Sequence, residues 1–148
     1  MKSNLISKSK TAEILEQINS QWNVKLSKQK NVRFHYITDN EIIITGADIT
    51  AIMVGNNILP FLNETAILKK FPSVVVDMGA IQFVCKGANI MRPGIKEFSD
   101  FKKGDIVCVI EESQQKFLAV GIAEMSSDEL KETKKGEVVK NIHYISDN

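Results

Sequence analysis

The chain has little cysteine and little proline: two cysteines and three prolines occur in 148 residues. Cys85 and Cys108 are 23 positions apart, with no C-x-x-C pair and no histidine nearby. This spacing excludes both a disulfide framework and a zinc site. We interpret both thiols as small, apolar side chains that are buried in a reducing cytosol.

The sequence also lacks long apolar runs and a marked excess of either charge. Its apolar runs are far shorter than the roughly 18 residues of a membrane span, and its first ten residues, MKSNLISKSK, lack the apolar core of a secretion signal. We therefore expect a cytoplasmic protein without a membrane partner. Nineteen Lys and Arg oppose 18 Asp and Glu, so the net charge is +1, with +3 on residues 1–70 and −2 on 71–148. Attraction to phosphate must then come from local patches.

Recognisable catalytic motifs are absent as well. There is no G-x-S-x-G, H-E-x-x-H, G-x-G-x-x-G or P-loop sequence, and His35 and His143 have no acidic neighbour at triad or ligand spacing. Asp77 precedes a predicted helix, which favours a capping role over that of a general base. We expect a protein that is not an enzyme and needs neither a metal nor another cofactor.

The composition is that of a folded protein, with 43% hydrophobic and 25% charged residues. The first half predicts a helix over Thr11–Trp22, in which Trp22 shares an apolar stripe with Ile14 and Ile18 and belongs to the core. Strands follow over residues 32–37, 41–46 and 49–54, with a short strand and a helical turn before Pro72.

After Pro72 the pattern restarts, so we place a domain boundary between residues 71 and 72. The second half predicts a strand ending at Asp77, a helix that this aspartate caps and Gly87 ends, and strands over residues 105–110, 117–125 and 137–145. Ser126 and Glu129 predict a capping box that opens a short helix. The chain is therefore predicted to be α+β, with a small, mostly β barrel in its second half.

The segment 77–94, DMGAIQFVCKGANIMRPG, combines small residues with cations. From Lys86 to Lys103 there are five basic residues against two acidic ones, a local charge of +3. Small residues beside cations allow a main chain to approach a phosphodiester closely. The alternative, which the pattern leaves open, is that Gly87 only ends a helix, Pro93-Gly94 forms a type II turn and the lysines are ordinary surface.

These residues resemble a known family. The run VDMGAIQFVCKGANIMRPGI is similar to the opening of a PUA domain, an RNA-binding pseudo-barrel, and KGANIM, MSSDEL and NIHYISD resemble the malignant-T-cell-amplified-sequence family of translation-associated proteins and its archaeal relatives. The resemblance implies a small α/β pre-PUA domain over residues 1–71, ending at the Lys69–Pro72 junction, and a PUA domain over 72–148.

The resemblance further implies a site on the C-terminal half. The residues expected to line or flank its RNA-facing edge are Gly79, Ala80, Lys86, Gly87, Ala88, Asn89, Met91, Arg92, Pro93, Gly94, Asn141, His143 and Tyr144. Lys102 and Lys103 join this set as nearby cations. For His143 a satisfied barrel residue is the alternative interpretation.

Three hypotheses for the function follow. The first is a non-catalytic RNA-binding protein of translation, with a tRNA acceptor stem or ribosomal RNA as its ligand and the small ribosomal subunit or a translation factor as a further partner. The second is an RNA-docking accessory subunit of a tRNA-modifying enzyme of the archaeosine or pseudouridine type. The third is a protein-interaction module that uses the apolar strands of residues 32–54 and the free basic connector Lys25–Lys30.

Overall fold

The computed structural model describes residues 2–63 and 65–145, and the chain divides into two compact units, Met1–Glu64 and Thr65–Asn148. The division falls seven residues before the predicted boundary, which stays a prediction. The short helix α2 (Thr65–Leu68) accounts for part of this difference, since the buried Cys108 thiol lies 3.6 Å from the Leu68 carbonyl oxygen within the second unit. Ser146 and Asp147, the end of the NIHYISD motif, lie outside the described residues.

The N-terminal unit contains one long helix, α1 (Lys8–Trp22). It begins three residues earlier than predicted because Ser7 caps it, its hydroxyl accepting a hydrogen bond from Lys10 N at 3.1 Å. The three residues after Ser7 are polar and carry no apolar period, which hid this first turn from the sequence pattern. Ile14, Ile18 and Trp22 are buried, as predicted.

Five strands form an antiparallel sheet in this unit, in chain order: β1 (Lys2–Leu5), β2 (Arg33–Thr38), β3 (Glu41–Thr45), β4 (Thr50–Val54) and β5 (Asn57–Pro60). β1, which the sequence did not predict, pairs with β2 at one edge of the sheet. α1 packs against β5, where Trp22 Nε1 donates to the Ile58 carbonyl oxygen at 2.7 Å. This buried hydrogen bond confirms that Trp22 belongs to the core.

The C-terminal unit begins with α2 and contains six strands and two further helices: β6 (Ser73–Val76), α3 (Ile81–Val84), β7 (Ile90–Met91), β8 (Ile95–Phe98), β9 (Ile106–Glu111), β10 (Phe117–Ala123), α4 (Ser127–Glu132) and β11 (Glu137–Tyr144). The strands form one sheet in the order β7-β11-β10-β9-β6-β8; among the described residues its β6–β9 pair is parallel and the other pairs are antiparallel. The sheet curves into a nearly closed pseudo-barrel, which confirms the predicted α+β class.

The core of this pseudo-barrel is aliphatic. Val74, Val76, Val107, Val109 and Val138 are fully buried in it. Leu130 of α4 is fully buried in the same core, and the predicted Ser126–Glu129 capping box holds the start of that helix.

None of the helices in the described ranges has the length and apolarity that crossing a membrane requires.

Candidate nucleic-acid interface

The segment that follows β6 is a short helical element with one face in solvent. The Asp77 carboxylate accepts a hydrogen bond from Ala80 N at 3.0 Å and caps a 3-10 turn, Met78–Ala80, which continues into α3. Val84 faces the core, whereas Gly79, Gln82 and Lys86 are exposed. The predicted cap is therefore confirmed, with a 3-10 turn as the first part of the helix.

Gly87 ends this helix in a Schellman motif. Its φ is +93°, its N–H donates to the Val84 carbonyl, and Ala88 N–H donates to the Phe83 carbonyl at 3.0 Å. A Cβ at Gly87 would also lie 3.0 Å from the Tyr144 ring. Glycine at position 87 is therefore favoured both by the left-handed backbone that ends the helix and by the close packing of Tyr144 from the last strand.

The side chains of Asn89 and Asn141 hold the adjoining backbone together. Asn89 Oδ1 accepts from Asn141 N at 2.9 Å, and Asn141 Nδ2 donates to the carbonyl oxygens of Val84 and Ala88 at 3.1 and 3.0 Å. These bonds join α3, its following turn and β11. Any RNA contact by these two residues would therefore use amides that already stabilise the fold.

Arg92 has an internal role that the sequence did not indicate. Its Nε donates to the carbonyl oxygens of Leu130 and Thr133, both at 3.0 Å, and its Nη1 donates to the Ile95 carbonyl oxygen at 3.2 Å. The guanidinium carbon lies 5.7 Å from the centre of the Phe98 ring. Arg92 thus satisfies carbonyl groups at the end of α4, where a cation is favoured. Its predicted contact with RNA stays a prediction.

Pro93 and Gly94 continue from Arg92 in a 3-10 turn, Arg92–Gly94. Gly94 does not have a positive φ, so the alternative of a type II turn with Gly94 at its third position is wrong. The Gly94 carbonyl accepts from Asp77 N at 3.0 Å, and a Cβ on Gly94 would lie 3.6 Å from Ala80. The two ends of the segment 77–94 therefore meet, while Met91 and Pro93 are exposed.

Lys102 and Lys103 are exposed in the turn before β9. Near Lys103 is a pair of carboxylates that sequence reasoning missed, Glu124 and Glu137. A hydrogen bond between the two raises the pKa of Glu124, with burial and the charge of Glu137 adding to the effect. Hydrogen bonds from Glu124 and from Asn89 Nδ2, the latter at 2.8 Å, lower the pKa of Glu137. The expected cationic edge therefore carries two acidic groups beside Asn89.

A groove of about 730 Å³ runs beside the exposed helix face. Met78, Gln82 and Lys86 line it from the helix, and Lys116 and Leu118 line it from the β9–β10 connection and β10. Glu111 at the end of β9 holds that connection, accepting from Ser113 Oγ, Gln114 N and Lys116 N, and these bonds, the Ser113 bond foremost, lower its pKa. Glu111 is buried.

Large apolar side chains on the same helix are exposed. Phe83 is 58% exposed and Met78 50%, and neither was singled out from the sequence. The available signal was helical spacing, since a buried Val84 turns its neighbour Phe83 away from the core. The outward face of residues 78–86, with Met78, Gln82, Phe83 and Lys86, is called the helix face below.

His143 lies in β11 and is partly buried, and this burial lowers its pKa to about 4. It is therefore neutral at pH 7.

Across the described residues no group of three His, Cys, Asp or Glu is arranged to hold a metal ion. The structure thus brings Ala80, Gly87, Ala88, Asn89, Gly94 and Asn141 together around α3, whereas it directs Arg92 to α4 and places Lys103 near Glu124.

Comparison with known sequences places the C-terminal unit in a known domain family. Residues 72–145 match the PUA domain family. An uncharacterised protein of Methanocaldococcus jannaschii is 38% identical over 126 residues, which cover 82% of this chain and 76% of that one. Translation machinery-associated protein 20 of Schizosaccharomyces pombe is 42% identical over 53% of this chain, and malignant T-cell-amplified sequence 1-A of Xenopus laevis is 36% identical over 60%. The chain spans about half the length of these two eukaryotic relatives, 46% and 53%.

Solved structures also resemble this chain. A hypothetical protein of Pyrococcus horikoshii superposes with a TM-score of 0.80 at 30% identity, covering 99% of this chain and 96% of that one. An H/ACA ribonucleoprotein bound to a substrate RNA contains a similar region, with a TM-score of 0.53 at 27% identity over 62% of this chain and 28% of that one.

Proposed function

Since the chain belongs to the PUA domain family and is related to translation machinery-associated proteins, we propose that it is a non-catalytic RNA-binding protein that acts in translation in the cytoplasm. Its ligand is a structured RNA, a tRNA acceptor stem or a ribosomal RNA helix. PUA modules are RNA-binding domains, and the H/ACA neighbour is a ribonucleoprotein that holds a substrate RNA. Both facts support RNA as the ligand.

The observation that carries the proposal is the helix face with its groove. Lys86 is exposed at the end of the helix and lines the groove together with Lys116, so that two cations are available for phosphate oxygens. Phe83 presents an aromatic surface on which an unpaired base or a ribose can pack. Cations beside an exposed aromatic ring suit RNA that has an accessible end or loop.

The charge balance indicates that this contact is not used alone. A net charge of +1 gives little long-range attraction to RNA, so the isolated protein binds with modest affinity. We propose that the small ribosomal subunit or a translation factor supplies the remaining contacts. Co-sedimentation with small ribosomal subunits is the corresponding measurement.

The likeness to the H/ACA ribonucleoprotein favours one alternative, in which the chain is the RNA-docking subunit of a tRNA-modifying enzyme. The same helix face serves RNA in both cases. Affinity purification separates them, because a stoichiometric modification enzyme in the eluate favours the alternative, whereas ribosomal subunits favour a role in translation.

The direct test is filter binding of tRNA to a charge-reversed helix face. We expect Lys86→Glu/Lys116→Glu to weaken binding about tenfold or more at low salt, because each change replaces an attraction to phosphate by a repulsion. The matched control is Lys131→Glu/Lys134→Glu, which reverses two exposed lysines at and after the end of α4. Arg92 is unsuitable as a probe, since its guanidinium is needed at the end of α4.

The salt dependence gives a second readout. Three to five phosphate contacts predict a slope of log K against log salt of about −2 to −4, which the Lys86→Glu/Lys116→Glu variant reduces in magnitude. Phe83→Ala tests the aromatic contact and should weaken binding without changing this slope. Equal tRNA retention by the wild type and both charge-reversed variants would contradict the proposal.

A further inference from the structure

A second groove, of about 600 Å³, lies in the N-terminal unit. Its floor consists of four apolar side chains: Leu5 and Ile6 at and after the end of β1, and Ala12 and Leu15 on α1. Leu5 is 55% exposed and Ala12 is exposed as well, while Ile6 and Leu15 are half-buried. The surface is therefore concave and aliphatic, a type of surface that binds apolar side chains.

The charged side chains that line this groove are all cationic. Lys8, Lys28 and Lys30 line it and are exposed, beside the uncharged Thr11, Gln29 and Asn31, and no Asp or Glu is among the lining residues that the structure describes. The ion pairs found within the described ranges leave all three lysines unpaired. Residues 2–33 hold seven basic side chains against two acidic ones, whereas residues 34–64 hold four acidic and none basic. The positive charge of this unit is thus concentrated on the segment that builds the groove.

The lysine-bearing connector is held in place, contrary to the free connector expected from the sequence. Leu26 N donates to Asn19 Oδ1 at 3.0 Å, and the buried Gln29 accepts from Asp48 N through its Oε1, also at 3.0 Å. Ile6 N donates to the Val32 carbonyl oxygen at 3.0 Å. Both walls are therefore fixed before a ligand arrives, which reduces the entropic cost of binding.

We infer that this groove binds an acidic amphipathic peptide segment of a partner protein, with aliphatic side chains on the floor and carboxylates against the three lysines. Charge complementarity requires an anionic ligand, and the aliphatic floor requires one with apolar side chains. RNA fits this site poorly, because no aromatic ring is among the described residues that line the groove, and phosphate contacts gain nothing from an aliphatic floor. None of its lining residues belongs to the helix face, and the inference does not rest on the proposed RNA contact.

The test uses a fluorescein-labelled peptide with leucines at i, i+3 and i+7 among glutamates, measured by fluorescence anisotropy against the full chain. Two comparison ligands are the same peptide with alanine in place of leucine and an oligouridine of similar charge. We expect saturable binding of the leucine peptide only, with a dissociation constant in the range of about 10–100 µM. Lys8→Glu/Lys28→Glu should weaken it about tenfold or more.

The matched control is Lys10→Glu/Lys25→Glu, which makes the same change in net charge with two exposed lysines outside the groove and should weaken binding less than about threefold. Leu5→Ser tests the floor at a residue that is 55% exposed. Equal binding of the alanine peptide, equal loss in both double variants, preference for oligouridine, or no saturable binding would each overturn the inference. Retention of tRNA by Lys8→Glu/Lys28→Glu would show that the RNA function is intact.

Discussion

At the scale of single residues, Gly121 in β10 marks a close approach between two strands. A Cβ at this position would lie 2.1 Å from the Lys140 carbonyl oxygen of β11, where the register of the two strands shifts. Because this neighbour is backbone, we expect Gly121→Ala to lower the free energy of unfolding by about 2–4 kcal/mol. Urea denaturation followed by circular dichroism measures this loss in the free energy of unfolding.

Gly94→Ala is the matched control for that change. Its Cβ would make an ordinary 3.6 Å contact with Ala80, and its φ is not positive, so alanine fits. We expect stability equal to the wild type or up to about 1 kcal/mol higher. A Gly121→Ala variant as stable as Gly94→Ala would mean that β10 and β11 separate at this point at little cost.

His143 predicts a pH dependence of stability. Burial lowers its pKa in the folded chain to about 4, below the ordinary value of 6.5 that it regains on unfolding. Between these values the unfolded chain binds more protons, so stability falls as the pH falls, by up to about 1.4 kcal/mol per pH unit. His143→Gln removes this titration and should flatten urea-unfolding free energies between pH 6.5 and 4 relative to the wild type. Parallel curves for both proteins would show that the pKa of His143 in the folded chain is not lowered.

Single-residue roles were predictable where the partner is close in sequence. Asp77 and Ser126 bond to the third residue after them and Gly87 ends the adjoining helix, so their roles follow from local pattern. Arg92 bonds to carbonyls 38 and 41 residues away, and Glu124 meets Glu137 across paired strands. These contacts exist only after the sheet has formed, and sequence spacing does not encode them.

At the scale of secondary-structure elements, the strands that can be predicted from the sequence are the long, buried ones. β9 and β10 have continuous apolar runs that allow little besides a strand at the core, and β11 contains the buried pair Val138 and Val139. The sequence pattern misses β1, whose four residues are all exposed, and β7 and β8, of two and four residues beside Pro93 and Gly94. These short strands exist because longer strands pair with them, and pairing is a tertiary effect.

The helix end at Gly87 supports a prediction at this scale. Gly87→Ala places a Cβ in a backbone with φ +93° and 3.0 Å from the Tyr144 ring, so we expect a loss of about 1–2 kcal/mol. Tyr144→Ala removes the ring but not the backbone strain. In a double-mutant cycle measured by urea denaturation, Gly87→Ala should therefore cost less, but still about 1 kcal/mol, on the Tyr144→Ala background. If the effects of Gly87→Ala and Tyr144→Ala on stability are strictly additive, the Tyr144 ring moves away from the added Cβ at no cost in free energy.

At the scale of the whole molecule, a charge of +1 conceals an uneven distribution. The N-terminal unit concentrates lysines on residues 2–33, and the C-terminal unit places Lys86 and Lys116 at its groove but two carboxylates beside Asn89. Since screening limits these charges to a range of about 8–10 Å, each surface attracts its own ligand with little influence from the total charge. RNA affinity should then respond more to a charge change near the helix face than to an equal charge change elsewhere, while the net charge of +1 adds little long-range attraction.

This balance predicts that a carboxylate near the proposed RNA edge weakens binding. Glu124→Gln removes one negative charge while its amide can still donate to Glu137, so we expect tRNA to bind about two- to threefold more tightly at low salt and equally at high salt. The raised pKa of Glu124 adds a pH effect, since protonation on lowering the pH should strengthen wild-type binding more than that of the variant. Glu132→Gln, an exposed change on α4, is the control in filter binding. If neither Glu124→Gln nor Glu132→Gln changes the affinity relative to the wild type, the RNA passes far from Glu124. Its path is then confined to the helix face and the groove beside Lys116.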